Sequence, residues 1–219
     1  MNQFEHYFNN VDKKNLIDKW LHYFDIYDKH FSKFKDKCPT ILEIGVYKGG
    51  SLDMWNFYFN NNCKIVGLDI DPCCKQFEKD NIQIFIGDQG DPQFWDNFNT
   101  LGIYFDIIID DGGHFMHQQI ITFEKMYPMV KDQGVYLCED THTSYWKEWN
   151  NGTTQTFTDY SKNFVDNLNY FHQIPKKECF NTFCVSFYDS VVVLDKRNFQ
   201  NIPKTEIRSP VSPKIDLNV

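Results

Sequence analysis

At 219 residues, with 42% apolar and 24% charged side chains, the chain is long enough for one well-buried core and too ordinary in composition to be disordered. A net charge of −8 with no basic block argues against nucleic acid or an anionic membrane surface as a partner. The seven cysteines are odd in number and include no CxxC pair, which argues against a zinc ribbon or redox motif and for a reducing, cytoplasmic setting.

Met1–Asn10 is polar and aromatic, unlike a signal peptide, and no stretch approaches the roughly 18 apolar residues that span a bilayer. Residues 1–38 carry Phe4, Tyr7, Phe8, Leu16, Ile17, Trp20, Leu21, Phe24, Tyr27 and Phe31 at spacings of three and four. This predicts one or two amphipathic helices, packed on the main domain or on a partner subunit of a homo-oligomer. Pro39 ends the segment.

From 39 to 198 short apolar runs alternate with helical patterns. The runs Ile41–Val46, Lys64–Ile70, Ile82–Ile86, Phe105–Asp111 and Val135–Asp140 are rich in Ile and Val and apolar on both faces, as strands buried in a parallel sheet are. Helices are predicted over Gly50–Phe59, Cys73–Lys79, Pro92–Asn99 and His114–Val130, the last with a core stripe of Met116, Ile120, Phe123, Tyr127 and Val130. The fold class is therefore α/β, a doubly wound and mostly parallel sheet with helices on both sides. Residues 141–160 read as a long connection that can cover a site, with a turn at Asn150-Asn151-Gly152 and a helix near Tyr160–Tyr170. Phe180–Tyr188 and Val191–Lys196 close the domain as a hairpin, and 199–219 is expected to be an extended or disordered tail.

Acids mark the strand ends: Asp69, Asp88, Asp110-Asp111 and Glu139-Asp140. Ligands of open parallel sheets bind outside the carboxyl ends of the strands, and crowded carboxylates need a cation or polar ligand to satisfy them. The first turn, Glu43-Ile44-Gly45-Val46-Tyr47-Lys48-Gly49-Gly50-Ser51, lets backbone approach a ligand closely, but its spacing is not GxGxxG and disfavours a nicotinamide cofactor. Asp69 suits the hydroxyls of a ribose, and Gly87-Asp88-Gln89 is placed to meet an adenine edge. Cofactor contacts are thus expected from Glu43, Gly45, Tyr47, Gly49, Ser51, Asp69, Asp88, Gln89 and Asp110.

Adjacent strand residues face opposite ways, so Asp110 and Asp111 do different work. If the fourth and fifth strands are neighbours, Asp111 lies beside Glu139 and Asp140, a hard oxygen set for Mg²⁺, Mn²⁺ or Ca²⁺. His114, at the Gly112-Gly113 turn next to that set, is the candidate catalytic base; His117 and His142 are weaker candidates.

The strings Glu43–Ser51, Gly87-Asp88-Gln89, Asp110-Asp111-Gly112-Gly113-His114 and Glu139-Asp140-Thr141-His142-Thr143-Ser144-Tyr145-Trp146, with Phe187-Tyr188-Asp189-Ser190, resemble the metal-dependent sugar O-methyltransferases of macrolide biosynthesis and the related cephalosporin hydroxylase-like proteins. The resemblance spans roughly residues 40–197. It implies a Rossmann-like class I methyltransferase fold with a seven-stranded sheet, S-adenosylmethionine as cofactor, and Mg²⁺ or another divalent cation at Asp111, Glu139 and Asp140. It also implies His114 as the base on a sugar hydroxyl. Methylation of a catechol or other diol, with Tyr145, Trp146 and Trp149 as a stacking slot, stays open. So does a hydroxylase-like or non-catalytic protein on the same scaffold.

Overall fold

The apolar runs become the strands. In the computed structural model, which describes residues 1–149, 152, 155–169, 172, 181–198 and 205–206, one seven-stranded sheet runs in the order β3-β2-β1-β4-β5-β7-β6. β1 (Thr40–Ile44), β2 (Lys64–Asp69), β3 (Ile82–Ile86), β4 (Phe105–Asp110) and β5 (Val130–Cys138) are parallel neighbours. β6 (Thr182–Tyr188) and β7 (Val191–Lys196) form the expected hairpin, and β7 pairs antiparallel with β5.

Both sheet faces are covered, which explains the unbroken hydrophobicity of the strands. Ile41, Ile107, Ile109, Val135 and Leu137 enter one core and Leu42, Ile44, Ile108, Tyr136 and Cys138 the other, following the two-residue period of a strand. The first core is closed by α1 (Gln3–Asn10), α2 (Tyr23–Phe31) and α3 (Gly50–Tyr58). Phe4 stacks on Tyr58 with ring centroids 3.8 Å apart and meets Trp55 and Tyr27 edge-on. The amphipathic N-terminal helices therefore bury their aromatic faces against each other and against α3, within this chain's own core. The second core lies under α4 (Pro92–Asn99), α5 (Met116–Met126), α6 (Phe157–Lys162) and α7 (Phe164–Leu168).

Three expectations change. The segment between α1 and α2, residues 11–22, is neither helix nor strand, although Leu16, Ile17, Trp20 and Leu21 continue the helical spacing. Its backbone at Leu16 lies so close to Gly50 that an added Cβ there would sit 2.3 Å from the Leu16 carbonyl oxygen. The helix expected to reach Val130 stops at Met126 because Pro128 follows, and a 3₁₀ turn delivers Val130 as the first residue of β5. The helix expected over Cys73–Lys79 is a 3₁₀ segment, Pro72–Phe77. The turn at Asn150-Asn151 and the tail from 199, save 205–206, lie outside the described residues. Cys38, Cys63, Cys73, Cys74, Cys138 and Cys184 are free thiols, and no described helix is long and apolar enough to cross a membrane.

The strand order reverses between β1 and β4, and there the chain must bring two loops together. Gly45 (φ +90) makes this possible: a Cβ on it would fall 1.9 Å from the Asp111 carbonyl oxygen. Gly45→Ala is expected to cost at least about 2 kcal/mol in urea unfolding, by backbone strain plus steric overlap. A midpoint equal to wild type would show that the two loops tolerate separation.

Candidate functional site

A cavity of about 680 Å³ opens over the carboxyl ends of β1–β5, within the size range of ligand pockets. Of the residues expected to touch a cofactor, Gly45, Tyr47, Asp69, Asp88 and Gln89 line it. Asp69 is clamped by the first turn: Oδ2 accepts from the Val46 and Tyr47 amides at 2.9 and 2.8 Å, and Oδ1 from the Asp71 amide. Gln89 braces the next loop, donating to Asp110 Oδ1 at 3.0 Å and accepting from the Gly113 amide at 2.7 Å.

Glu43, Gly49, Ser51 and Asp110 lie outside that lining. Glu43 is fully buried behind the first turn, where its two oxygens accept from Ser51 Oγ and Trp55 Nε1, both at 2.9 Å. Burial pushes its carboxyl up to about 7, against the pull of Lys19. Gly49 caps α3 in the left-handed region and packs on Phe77. Asp110 points into the second core, where it accepts from Gln89 and Tyr136, and burial pushes it up to about 7. The alternation along β4 thus separates a buried Asp110 from a cavity-facing Asp111, as adjacent strand residues must.

The acids of β4 and β5 meet because the strands are paired, Asp110 opposite Cys138. One donor atom each of Asp111, His114 and Asp140 lies within 4.8 Å of the others. His114 Nε2 stands 3.5 Å from Asp140 Oδ2 and 4.0 Å from Asp111 Oδ1, and its Nδ1 is buried with no hydrogen-bond partner. Both His114 (φ 59) and Asp140 (φ 53) adopt the left-handed backbone that non-glycine residues avoid. Strain of this kind persists where surrounding structure enforces a functional geometry. His142 approaches Asp140 Oδ1 at 3.9 Å and bonds Ser190 Oγ at 2.5 Å, while His117 lies outside the trio.

Glu139 is turned another way. It is fully buried; Oε1 accepts from Tyr27 at 2.6 Å and Oε2 from the Lys19 ammonium at 2.7 Å. Lys19 also pairs with Asp111 Oδ2. Burial pushes Glu139 and Asp111 upward, and Lys19 only partly pulls them back. Burial would lower the Lys19 ammonium, but Asp111, Glu139 and Glu43 together raise it, so it stays charged. Tyr23 completes the shell, its hydroxyl donating to Asp140 Oδ1 at 2.6 Å and lying 2.8 Å from Ser190 Oγ.

Lys19, Tyr23 and Tyr27 all come from the N-terminal part and were not expected at the site. The excess of acids at one sheet edge is the signal that asks for them: buried carboxylates need donors and a counter-charge.

No family model matches the chain. Against curated proteins it is 35% identical over 148 residues to demethylmacrocin O-methyltransferase of Streptomyces fradiae, covering 63% of this chain and 37% of that one. It is 38% identical over 135 residues to mycinamicin VI 2''-O-methyltransferase of Micromonospora griseorubida, covering 58% and 33%. Among solved structures, the MycE methyltransferase of mycinamycin biosynthesis, in complex with Mg, SAH and mycinamycin VI, superposes with a TM-score of 0.75 at 28% identity. That match covers 94% of this chain and 55% of MycE. The fold is that of a class I methyltransferase. Its relatives are sugar O-methyltransferases, as the motifs of the first turn, β4 and β5 imply. The matched stretch spans less than half the length of these curated relatives.

Proposed function

We propose that this chain transfers the methyl group of S-adenosylmethionine to a sugar hydroxyl with the help of a divalent cation. The observation that carries the reading is the convergence of Asp111, His114 and Asp140 on one side of a ligand-sized cavity at the strand-order reversal. Relatives that methylate sugar hydroxyls of macrolides, and a structural neighbour holding Mg and SAH, support it.

The donor set fits a hard cation, since carboxylate oxygens suit Mg²⁺ and imidazole suits softer transition metals. Asp111 and Asp140 would hold the ion, with Glu139 adjoining, and His114 is left for proton transfer. When bound, such an ion lowers the pKa of a coordinated hydroxyl, and the sulfonium supplies the methyl. His114 Nε2 takes the hydroxyl proton, and the facing carboxylates of Asp140 and Asp111 stabilise the imidazolium that results. Tyr23, itself held by the Ser190 hydroxyl, fixes Asp140, and Trp149 meets the His114 ring edge-on at a centroid distance of 5.9 Å. Gly45, Tyr47, Asp69, Asp88 and Gln89 bind and orient the adenosyl part.

At the mouth, Trp20 meets His142 edge-on, and His142 meets Trp146. These partly exposed indoles offer flat faces for a sugar or an apolar aglycone. We further read the protein as cytoplasmic, on its free thiols, and as a homo-oligomer. The aromatic helices are already covered, so an oligomer would use the exposed Leu16 and Leu21.

The test is methyl transfer from labelled S-adenosylmethionine to free, nucleotide-linked and macrolide-borne deoxysugars, with Mg²⁺ and again with excess chelator. Chelator-sensitive transfer to a sugar is the expected result. Transfer to catechols alone would replace the acceptor class, and no transfer to any acceptor would refute the activity.

A further inference from the structure

The segment that carries Lys19 has no helix or strand of its own, yet it delivers the most deeply buried ammonium of the site. The Lys19 side chain is 3% exposed and pairs with Asp111 and Glu139, two acids from adjacent strands. On either side of it, Asp18 and Trp20 also line the cavity. The segment is held at its two ends, by Val11 and Ile17 against the first core, by Asn15 Nδ2 donating to Asp53 and by His22 against the Asp189 carbonyl, while the stretch between carries Lys19 into the site. A buried lysine is costly unless its charge is answered, and two buried carboxylates on neighbouring strands are costly unless a cation lies between them.

We infer that Lys19 is an internal counter-cation of the metal-binding carboxylates, which a divalent ion must displace from Asp111 and Glu139 as it binds, so that metal occupancy moves the 11–22 segment. This rests on the proposed metal site. The position of the ammonium makes the case: Lys19 Nζ bridges Asp111 Oδ2 and Glu139 Oε2, so it holds the place between the two acids, and an ion shared by Asp111, Glu139 and Asp140 would meet its charge at contact distance. Lys19 therefore weakens metal affinity while holding the metal-free site together, and its withdrawal changes the surroundings of Trp20, its neighbour at the cavity mouth.

The experiment is calorimetric titration of Mn²⁺ into wild type and Lys19→Met, with acrylamide quenching of Trp20 emission isolated by difference from Trp20→Phe. Removing a unit positive charge a few ångströms from the ion is expected to tighten Mn²⁺ binding at least about tenfold. In the wild type, Mn²⁺ saturation should change Trp20 quenching. Equal or weaker Mn²⁺ binding by Lys19→Met overturns the inference while leaving the metal site intact. Absence of Mn²⁺ binding in both proteins removes the metal site and the inference with it. Should Lys19→Met fail to fold without metal, the wild-type signal decides: Trp20 quenching unchanged at Mn²⁺ saturation overturns the exchange.

Discussion

His114→Ala is expected to lower methyl transfer by about 10²–10⁴, the usual worth of a positioned general base, while Mn²⁺ still binds to the carboxylates. The two readouts separate two roles for one ring. Nε2 faces Asp111 and Asp140, close enough to serve as a third ligand or to receive a proton beside them. If the imidazole were a ligand, its loss would reduce ion affinity and turnover together. If it is the base, turnover falls and the ion still binds. His114→Gln sharpens the comparison, because it keeps polar bulk at the left-handed position but cannot accept and hold a proton. Unchanged turnover in both variants would remove His114 from the chemistry.

Asp111→Asn is expected to weaken Mn²⁺ binding at least about a hundredfold, since it removes one unit of negative charge in direct reach of the ion, and to abolish transfer at ordinary Mg²⁺ levels. Asp111 also answers Lys19, so the variant leaves that ammonium with Glu139 alone. The fold should survive, because Glu139 becomes a one-to-one partner and the repulsion between the two acids disappears. Asp110→Asn, one residue earlier but turned into the second core, should leave Mn²⁺ affinity close to wild type. Equal losses at 110 and 111 would mean that ion binding senses the general integrity of β4, with no specific carboxylate behind it.

The sheet was legible because parallel strands buried on both faces write themselves as short Ile- and Val-rich runs, and Ile82–Ile86 matches to the residue. The acid-lined edge of the cavity was legible because acids closing successive strands have one place to go. Helix ends were less so: Pro128 stops α5 four residues before the hydrophobic stripe does. The inner position of β7, between β5 and β6, follows from pairing that no local pattern encodes. Least legible was the N-terminal contribution. Trp20, Leu21 and Phe24 fit a helical stripe, yet the first two are exposed and Lys19 is buried, because the carboxylates outbid helical periodicity for that residue. Glu43 and Asp110, expected as cofactor contacts, lie outside the cavity lining for the opposite reason: a polar side chain can be satisfied inside, as these are by Trp55 and Tyr136.

Tyr23, which holds Asp140, is bonded to Ser190 although 167 residues of chain separate the two. Closing a loop of that length is slow, and the contact forms only after both β7 and the N-terminal helix have docked. The site is consequently among the last parts of the molecule to form during folding. A chain caught halfway, with β1–β5 already paired, presents its acids without the tyrosine that aims Asp140 or the serine that holds that tyrosine. Metal-dependent protection in a refolding experiment should therefore emerge in the slowest phase, after the sheet has acquired its own.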